Sequence, residues 1–86
     1  MTPHTADIVG LSGGALFVAA FIYANYADKL DKLWFNLINL VAAALLLVSL
    51  WVNFNLAAFV LEAVWAAIAL IGLIGALRAR RSQRLQ

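Results

Sequence analysis

The sequence contains three apolar runs, each close to the length that crosses a lipid bilayer as a helix. They extend from Ile8 to about Tyr26, from Leu33 to about Val52, and from Leu56 to Leu77. About 20 residues at 1.5 Å each span the hydrocarbon core, so an apolar run of about 18 or more is a candidate span. In lipid a helix satisfies its own backbone, whereas an open strand does not. Composition agrees with lipid as the solvent. Of the 86 residues, 66% are hydrophobic, against about 45–50% in a soluble domain. A soluble chain this small could not hide the excess, because small domains keep much of their surface exposed. The expected fold is therefore all-α: an integral membrane three-helix bundle, with residues 1–86 forming one transmembrane domain. The start, MTPHTADIVG, has no basic n-region, so a cleavable signal peptide is not expected.

The breaks between the runs carry the charge. All six Lys and Arg lie in two places. Lys29 and Lys32 stand between spans one and two, and Arg78, Arg80, Arg81 and Arg84 follow span three. Three spans bring those two places to one side. The positive-inside rule then predicts the N-terminus outside and the C-terminus inside, with 78–86 as a basic cytoplasmic tail. Tyr23, Tyr26 and Trp34 would sit at the inner interface and Trp51 at the outer one. The arginines read as a topology signal with attraction to anionic lipid. They are not interleaved with aromatic residues, and no nucleic-acid partner is expected. Between spans two and three, NFN leaves room for a link of two or three residues, which makes those helices antiparallel neighbours. Asn55 is placed to cap span three.

Within the spans, small and polar residues gather on stripes. In span one, Gly10, Gly13, Gly14, Phe17, Phe21 and Ala24 share a stripe, and Gly10 with Gly14 forms a GxxxG pair. Helices in lipid meet through such small residues, so these glycines read as packing positions. In span two, Asn36, Asn39 and Ala43 share a face. In span three, Asn55, Ala58, Glu62, Trp65, Ala66 and Ala69 do. Glu62 is the feature that asks for an explanation. An acidic residue at the centre of a membrane helix costs about 2.5–3.5 kcal/mol to insert. By helical rise Glu62 lies roughly 10 Å from Asn55, and the spans offer no basic residue at that depth. Its expected partners are Trp65, Asn39 and Ser12, with Asn36 nearby as a further contact. Two readings stand side by side. One is a hydrogen-bonding glue between helices. The other is a binding site for a proton or for a cationic or polyhydroxylated solute, since intramembrane carboxylates are functional by default.

The stretch LINLVAAALLLVSLWVNFNLAAFVLEAVWAAIALIGLIGAL, residues 37 to 77, resembles an uncharacterised family of small bacterial three-helix membrane proteins. The resemblance rests on Asn39, on Asn53 and Asn55 in the turn, and on Glu62 and Trp65 as Glu-x-x-Trp. Members carry transporter or permease labels. The architecture is also similar to the SemiSWEET half-transporters of the PQ-loop group, three-helix chains that dimerise around a sugar path. That likeness implies a homodimer and makes Asn39 and Trp65 counterparts of the site's Asn and Trp. The Pro-Gln pair that names the group is absent from span one, where GALFVAAFIYAN stands. SemiSWEETs also do not rely on a buried Glu. The family resemblance further implies a bacterial inner membrane.

These readings lead to an expected function. A homodimeric half-transporter for a small polar solute comes first, with Glu62 as its proton or ligand site. A holin-like oligomeric pore and an accessory subunit of a larger membrane complex are the alternatives. An enzyme is not expected, because the chain lacks a Ser-His, Cys-His or metal-ligand constellation. With no cysteine and one histidine, His4, no metal site or other cofactor is expected.

Overall fold

In a computed structural model, which describes residues 1–85 and the side chains of residues 1–83, three helices form. They are α1 (Pro3–Tyr26), α2 (Lys32–Leu50) and α3 (Leu56–Leu85), with no strand among the described residues. Each is long and apolar enough to cross a membrane. Gln86, the end of the expected basic tail, lies outside the described residues, as does the side chain of Arg84.

Local chemistry sets the helix ends. α1 begins ahead of the apolar run because Thr2 caps it. The Thr2 hydroxyl accepts the Thr5 N–H at 3.1 Å, and Pro3 occupies a first-turn position where a missing N–H does no harm. Asp31 caps α2, accepting the Leu33 N–H at 3.0 Å. α2 stops at Leu50, short of Val52, as the Trp51 N–H turns back to Val48 O at 3.1 Å and the Val52 N–H to Ser49 O at 3.2 Å. The connection to α3 is therefore Trp51–Asn55, longer than the two- or three-residue link that the spacing predicts. Asn55 caps α3 by accepting the Ala58 N–H at 3.1 Å. Arg78, Arg80 and Arg81 continue α3 instead of forming a separate tail. Arg, Ala, Gln and Leu there are all good helix formers.

α2 lies in the middle. Both α1 and α3 pack on it, and they make no close backbone approach to each other. The contacts are built from small residues. Ala6, Gly13 and Ala20 are the buried positions of α1, seven residues apart; Ala42 and Ala43 of α2 and Ala69 of α3 are buried as well. A Cβ on Gly13 would stand 2.8 Å from the Ala42 carbonyl oxygen, and one on Gly10 would stand 2.7 Å from Ser49 Oγ. Gly14 meets nothing within 4 Å. The GxxxG pair is thus split. Gly10 and Gly13 seat α1 on α2, while Gly14 leaves open space. On the other side, a Cβ on Gly72 would meet the Asn36 amide, 2.6 Å from its Cγ.

Polar clasps tie both ends. Asp31 Oδ2 accepts from Arg80 Nη2 at 2.7 Å, joining the α1–α2 loop to α3. The backbone N–H of Asp31 donates to the Tyr23 hydroxyl at 2.8 Å, reaching back to α1. At the opposite end Ser49 Oγ donates to the Ala6 carbonyl at 2.7 Å, and Asn53 Nδ2 donates to Asp7 Oδ1 at 3.1 Å. Outside these seams the surface is apolar, with Leu11 74%, Phe21 70% and Ile71 71% exposed. Apolar exposure on this scale marks a surface made for lipid or for another protein chain.

Four substitutions test this packing. Gly13→Ala should lower the thermal stability of the detergent-solubilised protein by about 1–3 kcal/mol, the range for overpacking, whereas Gly14→Ala should leave it unchanged. Asp31→Ala, which removes a cap, should cost about 1 kcal/mol or more. Asp31→Asn keeps the cap acceptor and loses only the exposed ion pair, so it should cost at most about 1 kcal/mol. Circular dichroism melts read all four.

Candidate functional site

Because α1 and α3 both lean on α2 without a close backbone approach to each other, a cleft of about 540 Å³ opens between them. Its floor is α2. Helical periodicity puts Glu62 and Trp65 one turn apart on the face of α3 that looks toward α2. The Trp65 indole N–H donates to Asn39 Oδ1 at 3.0 Å, linking α3 to α2. Asn39 is 4% exposed, and its Nδ2 donates to the Phe35 carbonyl one turn earlier at 2.8 Å. The Phe17 ring of α1 stands edge-on to Trp65, with centroids 5.5 Å apart at 87°. This T-shaped arrangement suits the ring quadrupoles. It is how α1 and α3 touch across the cleft.

Glu62 completes the group. It lines the cleft with Phe17, Phe21, Asn39 and Trp65. Its Oε2 is buried and has no hydrogen-bond partner among the described residues. Buried polar atoms are nearly always satisfied, and an exception calls for an explanation. A lone carboxyl oxygen among aromatic rings is chemically equipped to take a proton or a positive group.

Of the residues singled out from the sequence, the structure brings Glu62, Trp65 and Asn39 together. Asn36 lies on a different part of α2, against Gly72, with its Nδ2 donating to the Lys32 carbonyl at 2.7 Å. Ser12 is exposed, and its hydroxyl donates to the Ile8 carbonyl at 2.9 Å. It does not line the cleft. Phe17, Phe21 and Ala24, grouped with the glycines as one stripe of α1, form a wall of the cleft. Phe35 and Leu61 also line it. Phe35 lies four residues before Asn39 and Leu61 next to Glu62, and in so apolar a chain neither position stands out.

The fold and this cleft define a class: a small all-α chain whose three helices are long and apolar enough for a membrane. A protein-family model matches residues 6–81, and the chain belongs to that uncharacterised family. No curated protein and no solved structure matches it. The match takes in α2, most of α1 and α3, and the cleft, but brings no activity with it.

The Asn39–Trp65 bond is open to measurement. Trp65→Phe keeps an aromatic ring, though a smaller one, and removes the N–H donor. The coupling with Asn39 is expected at about 0.6 kcal/mol, and at most about 1.7, the range for interhelical hydrogen bonds between membrane helices. Thermal unfolding in detergent, with the Asn39→Leu variant alone and combined with Trp65→Phe, gives the coupling directly.

Proposed function

We propose that this protein is a half-transporter for a small polar solute that works as a homodimer, with Glu62 as its proton or ligand site. The observation that carries the reading is the convergence of an unpartnered Glu62 oxygen with the Asn39–Trp65 pair in one cleft. A carboxylate is costly at that depth, and intramembrane carboxylates are functional by default. Three helices enclose little volume, so a path across the membrane needs a second chain, with the site near the midplane between repeats. Gly14 has open space around it, and Phe21 beside the cleft is exposed. A close helix approach from a second copy would use such positions. In this reading the N-terminus faces outward and the arginines of α3 face the cytoplasm, in a bacterial inner membrane.

Flux into proteoliposomes is the direct test. Purified protein should give saturable uptake from a panel of small polar solutes, and Glu62→Gln should abolish it. Saturable uptake indifferent to Glu62→Gln would remove the role of the carboxyl. Leak of every solute alike would favour a holin-like pore, and no flux with a copurifying protein would favour an accessory subunit. Native mass spectrometry from a mild detergent should give a dimer. Gly14→Leu should shift that dimer to monomer; an unchanged mass would refute a contact through Gly14.

A further inference from the structure

We propose that the cleft between α1 and α3 takes a lipophilic organic cation, a ligand with one positive centre and several apolar or aromatic groups. This rests on the half-transporter reading but replaces its polar solute with a lipophilic cation, and it stands on a separate observation: which polar groups of the cleft are already engaged. Trp65 gives its only N–H to Asn39. Asn39 is buried and engaged at both ends of its amide, by Trp65 and by the Phe35 carbonyl. That leaves Glu62, whose Oε2 is buried and unpartnered.

The walls decide the rest. Phe17, Phe21, Phe35, Leu61 and Trp65 offer rings and methyl groups and almost no hydrogen-bonding capacity. A polyhydroxylated solute would leave its hydroxyls unpaired against them, at about 1–3 kcal/mol for each buried group. An anion would meet the carboxyl with like charge. A neutral apolar molecule would fill the walls and leave the Glu62 oxygen without a partner. A cation with a greasy shell answers both features. Its charge pairs with the carboxylate, no lysine, arginine or histidine among the described residues lines the cleft to compete, and the ring faces add cation–π attraction. The volume of about 540 Å³ lies within the range of small-molecule pockets. The cleft also opens between two helices whose outer surfaces are apolar. A ligand dissolved in lipid could therefore enter from the side.

Tetraphenylphosphonium and tetraphenylborate separate charge from shape, because they are nearly the same size and opposite in sign. Equilibrium dialysis with the purified full-length protein in mild detergent should show tetraphenylphosphonium binding at least tenfold tighter than tetraphenylborate. Glu62→Gln should erase that preference, and Glu62→Asp should keep part of it. Phe21→Ala, at an exposed wall position, should weaken tetraphenylphosphonium several-fold without changing the preference for the cation. Circular dichroism melts of each variant show that it is folded. Excess glucose should not displace the bound cation. Equal binding of the two ions, a preference unchanged in Glu62→Gln, displacement by glucose, or no binding at all would overturn the proposal. Glu62-dependent binding without any flux in proteoliposomes would keep this site and sink the transporter. Saturable, Glu62-dependent flux of a neutral polar solute without tetraphenylphosphonium binding would do the reverse.

Discussion

The seating of α1 and α3 on opposite parts of α2 governs the rest of the structure. It depends on the absence of side chains. At Gly13 the backbone of α1 comes so close to Ala42 that a single added carbon would stand 2.8 Å from a carbonyl oxygen. At Gly72, α3 accepts the Asn36 side chain in the space that a Cβ would fill. Where hydrophobic burial offers no drive between helices, close backbone approach is what brings them together. With α2 holding both neighbours, the backbones of α1 and α3 stay apart, and the gap between them becomes the cleft. The site is thus a by-product of which helix lies in the middle.

The two ends of the bundle add polar ties to this apolar seam. Asp31 serves three helices at once: it caps α2, receives Arg80 from α3, and donates its backbone N–H to Tyr23 of α1. At the other end Ser49 and Asn53 hold α2 and its following turn to the start of α1. Glu62 stands apart from both sets. It belongs to neither clasp, and among the buried side-chain polar atoms of the described residues its Oε2 is the one left without a partner. Such an atom contributes little to holding the fold together. That contrast gives the cleft its functional interest.

Much of this was legible in advance, for physical reasons that differ from residue to residue. The three helices follow from run length, which the bilayer thickness makes a strong signal. Asn55 as a cap and the shared face of Glu62 and Trp65 follow from helix geometry alone. Asn39 was legible as a polar residue inside a span, where it must find a partner. The helix ends were less so, because Thr2, Pro3 and the arginines extend helices into sequence that hydropathy alone reads as flanking. Ser12 illustrates a real limit. A serine inside a helix has the carbonyl of the preceding turn always within reach, and the one here uses it.

By itself the sequence determined the number of helices, their apolar character and the cost of placing a carboxyl group in the third. Those depend on composition and on spacing along one chain, and helical periodicity converts spacing into faces without reference to anything else. Only the tertiary structure decided that α2 lies between the others, that Gly13 rather than Gly14 carries the contact within the chain, and that Asn39 meets Trp65 while Asn36 meets Gly72. These choices rest on how closely particular backbones approach. Periodicity gives each helix a face, but fit between surfaces chooses which faces meet.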